Sequence, residues 1–399
     1  MKINLIDTLP KRFKPIAKLI NIRESESELS TLRIGQELTT NLLPKSIFAR
    51  GLVDLCDNAF REILEVFIVY VGPKILGENV FRKLYSKGAN KGLNNLIPTE
   101  ASRLMAENAA ENKKLMPVKA AIAVSALTIP LAEYSLSFAK NLFTLKIFKQ
   151  ADFNNIANLN TNKKETSEHQ EKVKQSAKKH IKLAGIIFAG CLGLSALLAT
   201  RGKNSKFLNH ISEALLAPGS KFFKNNENKA KFVNKYFGLD FRNKNGKLAL
   251  SNGQVTACVV AGGFGYAGAA KDRGKQDFKE VIYRFPLVGF YAISGSDLVE
   301  HGYKKILAKK AAYKNIMDKD LNVKKLSELG DLAEKLAKEN GREADLEFIK
   351  KEFRTLFKQK SKIVLVPLLF SLGFMGFFVA GLSRYFTQYR YNKEIKHSK

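Results

Sequence analysis

The sequence predicts an all-α fold, a multi-pass helical membrane protein with amphipathic helices outside the membrane. Two stretches are apolar over the length of a membrane span, residues 183–200 with no charge and residues 363–386 with Arg384 near the end. A transmembrane helix needs about 20 such residues, whereas a helix on the surface of a soluble protein alternates apolar and polar faces. The chain as a whole is basic, with 67 Lys and Arg against 37 Asp and Glu.

That positive charge predicts an anionic partner, and anionic membrane lipid fits the apolar stretches best. A nucleic-acid partner is not expected, because no matching motif is present and the basic residues are spread through every loop. A solvated surface in a lysine-rich proteome is the alternative explanation of the charge.

Residues 1–60 form a basic segment in which apolar residues alternate with Lys and Arg, as in interfacial or soluble helices. No apolar run there is long enough for a cleavable signal peptide, so none is expected. Residues 61–200 are predicted to be a first membrane region. It contains apolar segments at 63–81, 118–139 and 183–200. The first of these is interrupted by charges, so it could span the membrane, re-enter it or lie at its surface.

A polar basic loop region is predicted over 201–254, followed by a second membrane region over 255–299. The apolar segments of that region are 255–270 and 281–299. Charges interrupt 281–299 as they do 63–81, so it too could span the membrane, re-enter it or lie at its surface. Residues 300–361 predict basic amphipathic helices, because apolar residues recur at helical spacing opposite Lys and Arg. Residues 362–399 hold the last membrane helix and a basic tail. Four to six segments cross the membrane in this interpretation, and the loop charges are too even to fix an orientation.

The stretch 259–275 contains Gly263, Gly265 and Gly268 in the spacing G-x-G-x-x-G. A nucleotide site would need this motif between a strand and a helix, with an acid about 20 residues later, and the flanking sequence does not provide that context. Small residues four positions apart instead allow membrane helices to approach closely. We therefore predict helix-packing positions in three segments. They are Gly185, Ala189 and Gly193; Ala261, Gly265 and Ala269; and Gly376 and Ala380.

Three ionisable residues fall within or beside the apolar segments: Glu133, Arg284 and Asp297. A charge in the middle of a bilayer costs several kcal/mol, so such a residue is paired, functional or near the membrane surface. Glu133 is the most central, and either a pairing role or an interfacial position would explain it. For Arg284 and Asp297, which lie near segment edges, snorkelling to the interface is the simpler explanation.

No metal site or cofactor is expected. The three cysteines and five histidines are scattered, without the spacing of a zinc site or a disulfide framework. No phosphate-binding loop, nucleophile motif or other catalytic constellation is found, so the chain is not expected to be an enzyme.

We therefore expect a structural or interaction component of a membrane assembly, located in a bacterial cell membrane. It would contact anionic lipid and other membrane helices or further copies of itself. This hypothesis requires that no chain of ionisable groups crosses the membrane. The alternative is a transporter or channel with Glu133 near its pathway. That hypothesis allows an internal repeat, since residues 60–67 resemble residues 278–285, although chance matching would also explain the resemblance. A nucleotide-binding enzyme using the 263–268 glycine motif is the third hypothesis.

Overall fold

The computed structural model describes residues 5–25, 38–68, 109–159, 165–240, 242–244, 247–249, 251–343 and 345–398. The regular elements in these residues are helices and one short two-stranded hairpin, joined by turns and short loops. The prediction of an all-α fold is therefore confirmed.

The helices up to residue 240 are α1 Lys14–Ser25, α2 Leu43–Ile47, α3 Leu52–Val66, α4 Ala109–Ala126, α5 Thr128–Phe148, α6 Phe153–Ile156, α7 Ser167–Arg201, α8 Lys206–Leu216, α9 Pro218–Phe222 and α10 Glu227–Phe237. The hairpin pairs β1 Arg242–Lys244 with β2 Lys247–Ala249 in antiparallel fashion. The later helices are α11 Asn252–Arg273, α12 Lys275–Phe290, α13 Ser296–Ala308, α14 Leu329–Glu339, α15 Leu346–Ser371 and α16 Ala380–Ser398. Stretches of π-helix at Leu38–Leu42, Tyr291–Gly295 and Leu372–Val379 adjoin these helices.

Within the described ranges, three helices are long and apolar enough to cross a membrane: Leu115–Phe148, Ser167–Arg201 and Leu346–Lys396. They contain the predicted segments 118–139, 183–200 and 363–386. Each helix is longer than its apolar segment because the polar residues beside that segment continue the helix. Segment 255–270 lies in α11, and the predicted segment 63–81 lies outside the described residues from position 69 onward.

The chain forms two compact units. Unit 1 comprises Met1–Glu26 and Ser294–Phe374, and unit 2 comprises Ser27–Ile293 and Met375–Lys399. Unit 1 has an apolar core. Its most buried side chains are Ile20 of α1, Leu329, Ala333 and Ala337 of α14, and Phe353, Leu356 and Phe357 of α15. The helical spacing of these residues places them on one face of each helix, which is why α14 and α15 pack together.

In unit 2, helix α5 packs against α3, α7 and α11. Helix α7 runs antiparallel to α4 and α5. Ser195 donates a hydrogen bond to the Ala121 carbonyl (2.7 Å), and the Tyr134 hydroxyl lies 2.6 Å from Nδ1 of His180. Helix α11 runs in the same direction as α5, and Gly274, with φ of 132°, reverses the chain into α12. Such a φ favours glycine, so one residue is enough to join α11 and α12.

Candidate functional site: a buried ion-pair network

The described interior of unit 2 holds ionisable side chains from half of its helices, α2, α3, α5, α11, α12 and α16, at one end of the bundle. We call them the ion network. The carboxylates are Asp54, Asp57, Glu62, Glu65, Glu133, Asp277 and Glu280, and the basic groups are Lys45, Arg50, Arg61, Lys140, Arg273, Arg284 and Arg384. The two sets are equal in number. Mutual neutralisation is what makes such burial tolerable, since an unpaired charge would cost several kcal/mol.

Helix α3 contributes the largest share because its charged residues repeat at helical spacing. Asp54, Asp57, Arg61 and Glu65 follow one another three or four positions apart, which places them along one face of the helix. Of these residues, Asp54 and Asp57 are each 3% exposed. The face that a sequence pattern would assign to solvent is therefore the one that α3 buries.

Asp57 is the best-connected member of the network. Its Oδ1 and Oδ2 accept from the two terminal nitrogens of Arg273 (2.6 and 2.9 Å), and Nζ of Lys140 lies 3.0 Å from Oδ2. The Thr144 hydroxyl donates to Oδ1 at 2.5 Å. Burial alone would raise the pKa of Asp57, but the charges of Arg273 and Lys140 and these hydrogen bonds hold it well below its ordinary value.

Asp277, in the first turn of α12, is a second carboxylate close to the same two cations. Burial raises its pKa from 3.8 to about 6, although Lys140 and Arg273 act in the opposite direction. The neighbouring carboxylates of Glu280 and Asp57 raise the pKa further. Two carboxylates thus share two cations, and Asp57 holds the closer contacts.

Tyr266 of α11 lies among three cations. The charged groups of Arg61, Lys140 and Arg284 lie 4.5, 5.1 and 5.3 Å from the centre of its ring. A cation over an aromatic face is attracted by about 0.5–2 kcal/mol, with the larger values at desolvated sites. The ring therefore connects basic groups from α3, α5 and α12, which would otherwise repel one another.

The remaining ion pairs tie the chain before α3 to the bundle. Glu62 accepts from Lys45 (2.5 Å) and Arg61 (2.7 Å), and Arg61 also lies 2.7 Å from Glu65. Arg50 donates to Glu280 at 3.1 Å across 230 positions of sequence. These contacts join segments that are distant along the chain.

Arg384, which the sequence places near the end of the last apolar segment, is 6% exposed in the structure. It donates to the Lys45 carbonyl at 3.0 Å and lies 3.7 Å from Asp54. Helix α16 is thereby attached to the same network as α3.

Glu133 lies at the edge of the network nearest to the apolar stretches. It precedes Tyr134, which contacts His180, and His180 stands three positions before the charge-free stretch of α7 that begins at Leu183. Glu133 therefore lies level with the start of that stretch. Within the described residues it makes no ion pair at 4 Å or less, and its Oε2 is 3.2 Å from the position that a Cβ on Gly262 would take.

The predicted packing positions of α11 lie against α5. A Cβ on Gly265 would come within 2.7 Å of the Tyr134 backbone, and Ala269 is 2% exposed. Ala261 is partly buried. Gly263, which the sequence did not single out for packing, faces Phe285 of α12, whose ring a Cβ would meet at 2.0 Å. All of these glycines lie in the middle of α11 and not between a strand and a helix, so their N–H groups are used within the helix.

The predicted positions of α7 are placed differently. Gly185, Ala189 and Gly193 are exposed, and an added Cβ on either glycine would meet no atom of the described chain within 4 Å. Gly376 and Ala380 are buried. Of the predicted ionisable residues, Arg284 lies in the ion network, whereas Asp297 is exposed at the start of α13 in unit 1.

The network itself was not foreseen from the sequence. Its acids and bases are visible in α3 and α12, but Asp57 and Arg273 are separated by 216 positions, and no local pattern pairs them. The available signal was the helical spacing of charges on α3 and on α12, where Asp277, Glu280 and Arg284 share a face. Among the described residues no three His, Cys, Asp or Glu side chains come together to hold a metal ion.

Comparison of the chain with known proteins found no match. No family model matches the chain. No curated protein and no solved structure is similar to it either.

Proposed function

We propose that the protein is a multi-pass membrane protein that serves as a structural or interaction component of a membrane assembly. This proposal rests on the distribution of charged residues along the three apolar helices. Residues 120–132, 183–200 and 363–383 of the three apolar helices contain no acidic or basic side chain, and the ion network begins at one end of these stretches. A pathway for ions or protons would need polar groups along its length. These three stretches offer no charged group for such a pathway.

In this proposal the ion network fixes the helices to one another at the end of the apolar stretches. Ion pairs and hydrogen bonds specify one arrangement of α3, α5, α11 and α12, because any other register leaves a buried charge unpaired. Close packing of Gly265 against Tyr134 fixes α11 on α5 deeper in the bundle. A bacterial cell membrane remains the predicted location.

The exposed face of α7 is the proposed contact with a neighbouring membrane helix, from a second copy or another protein. Only 22% of the apolar window of this helix is buried. In lipid, helices associate where small residues allow close approach, so Gly185, Ala189 and Gly193 offer a suitable surface.

Membrane insertion is tested by carbonate extraction of membranes that contain the full chain. The protein is expected in the pellet, and release into the supernatant would refute insertion. Association through α7 is tested with Ala189→Leu, which should weaken cross-linking in membranes by covering the small-residue face. Ile187→Leu is the matched control, since Ile187 is also exposed but lies on the opposite side of the helix. Equal cross-linking of both variants and the unmodified chain would remove α7 from the proposal.

A transporter or channel is the second candidate, and it is favoured by Glu133, which forms no ion pair within 4 Å with any residue that the structure describes. A carboxylate without a fixed cation partner is free to exchange a proton or bind a passing cation. Flux of protons, Na⁺ and K⁺ into liposomes containing the purified protein would be compared for the unmodified chain, Glu133→Gln and the exposed control Glu334→Gln. Flux that Glu133→Gln alone abolishes would favour transport over the structural role.

A further inference from the structure

Helices α8, α9 and α10 carry a set of exposed phenylalanines. Phe207 is 71% exposed, Phe222 68%, Phe232 59% and Phe237 57%. Helix α10 buries none of its residues. Single exposed apolar residues are ordinary on protein surfaces, but several large ones within one short segment mark an interaction surface.

The exposure is not the result of loose packing, because the segment is fixed in place. The Asn234 side chain accepts from the Gly219 N–H (2.7 Å) and donates to the Ser220 hydroxyl (2.8 Å), which joins α9 to α10. A Cβ on Gly219 would lie 2.0 Å from the Ala230 carbonyl oxygen. Leu239 donates from its N–H to the Leu215 carbonyl, which fixes the end of α10 to α8. The phenylalanines are therefore held outward on a rigid support.

The same segment is basic. Residues 201–240 contain eight Lys or Arg and three Asp or Glu. In α10, Lys229, Lys231 and Lys235 alternate with the exposed aromatic side chains. Aromatic rings beside lysines are the combination found where a protein inserts into the headgroup region of an anionic membrane.

The position of the segment in unit 2 agrees with that chemistry. A Cβ on Gly202, directly after α7, would meet Pro117 at 2.4 Å, so the end of α7 lies beside the point in α4 where its apolar stretch begins. Lys119 forms an ion pair with Asp240 at 3.3 Å. Helix α8 begins only five positions after α7 ends and packs on α4. This is the end of the bundle opposite to the ion network.

We propose that α8–α10 form a docking surface for the headgroup region of an anionic lipid bilayer, with Phe232 of α10 inserted among the lipids. This inference rests on the proposed membrane insertion of α4–α5 and α7. It adds which part of the chain lies on the membrane surface and which lipid chemistry it recognises.

The test uses the full chain with Cys56, Cys191 and Cys258 replaced by Ala, reconstituted in vesicles of phosphatidylcholine and phosphatidylglycerol. An environment-sensitive fluorophore is attached in turn at Phe232→Cys, at Glu227→Cys and at Ile186→Cys. Lipids that carry a quencher near the headgroup or at the bilayer centre then report the depth of each fluorophore. Glu227 is the control, because its side chain lies on the same helix, is charged and is 79% exposed.

The fluorophore at 232 is expected to lose most of its emission to the headgroup-level quencher and little to the central one, while the fluorophore at 227 is unaffected by both. Each lysine near an anionic surface strengthens binding about fivefold, so Lys229→Gln, Lys231→Gln and Lys235→Gln combined should remove most of the quenching at 232. Most of the quenching at 232 should also be lost in vesicles of phosphatidylcholine alone.

The fluorophore at 186 separates the two proposals. If the central quencher reaches 186 but neither quencher reaches 232, α7 spans the membrane and the docking surface is refuted. Absence of quenching at 186 would refute membrane insertion itself. Equal quenching at 232 with and without phosphatidylglycerol would refute recognition of anionic lipid. Gel filtration in detergent verifies that each variant keeps the elution volume of the unmodified chain.

Discussion

The two units of this protein fill their interiors with different chemistry. Unit 1 buries leucine, alanine and phenylalanine from α1, α14 and α15, and its notable buried charge is Lys360, which pairs with Glu24 and donates to the Lys324 carbonyl at 2.6 Å. Unit 2 buries a balanced set of acids and bases. An apolar core loses stability in proportion to the volume removed. In a network the loss of one partner leaves another buried charge uncompensated, so its members are less tolerant of substitution.

The largest expected effect is in the ion network. Arg273→Met keeps much of the side-chain volume but leaves Asp57 with Lys140 as its remaining cation. Breaking a buried ion pair in this way costs about 3–5 kcal/mol. Hydrogen exchange should therefore speed up in peptides of α3, α5 and α11. Lys174→Met, which removes an exposed pair with Glu171, is the control and should change nothing measurable. Similar exchange in both variants would show that the network does not hold these helices.

A smaller loss is expected in the apolar core of unit 1. Leu329 is fully buried, and Leu329→Ala should cost about 3 kcal/mol through lost burial and the cavity left behind. The free energy of opening, from hydrogen exchange of α14 and α15 peptides, measures it. Leu346→Ala, at a position 40% exposed, should cost much less. A loss at Leu329 no greater than that at Leu346 would contradict the assignment of this core.

The stability of unit 2 should also depend on pH, because this unit buries a carboxyl group with a raised pKa. The pKa of Asp277 is raised from 3.8 to about 6, so its burial is without penalty below pH 4, becomes increasingly unfavourable as the pH rises from 4 to 6, and costs a constant amount above that. Asp277→Asn should therefore stabilise unit 2 at pH 7 by about 3 kcal/mol, at 1.4 kcal/mol for each pKa unit. Lys140 of α5, Arg273 of α11, Asp57 of α3 and Glu280 of α12 face this carboxyl and set its pKa.

Thermal or detergent-induced unfolding from pH 4 to pH 8 measures the effect. The difference between Asp277→Asn and the unmodified chain should grow between pH 4 and pH 6 and then stay constant. A difference independent of pH would mean that this carboxyl stays charged throughout the range.

The smallest expected effects separate the two small-residue faces of unit 2. Gly265→Ala places a methyl group 2.7 Å from the Tyr134 backbone, and such overpacking costs about 1–3 kcal/mol. Gly185→Ala meets no described atom and removes a glycine from a helix interior, so the isolated chain should be unchanged or slightly more stable. Unfolding in detergent compares the two, and a larger loss at Gly185 would contradict the placement of α7.

The sequence predicts the helices well because their signals are local. Residues 183–200 and 363–386 are apolar over the right length, and each lies inside a long helix of the structure. The extension of α7 back to Ser167 follows from good helix-forming residues there, whose side-chain pairs, such as Lys174 with Glu171, lie three positions apart.

The interior of unit 2 could not be predicted in the same way. Charges on α3 and α12 identify these helices as amphipathic, and in a soluble surface helix that face would be solvated. Whether that face is solvated or buried depends on its partners, such as Arg273 and Lys140, which come from distant parts of the sequence. Small residues were a better guide at Gly265 than at Gly185, because the spacing describes which helix face can approach another but not which helix covers it.

The antiparallel course of α4–α5 and α7 has a consequence for sidedness. If the chain crosses the bilayer in one helix and returns in the next, the ion network and the phenylalanine-rich helices face different compartments. A reagent added on one side of a sealed vesicle would then reach one of the two surfaces and not the other. Each surface would experience the pH, salt and binding partners of its own compartment, independently of the other.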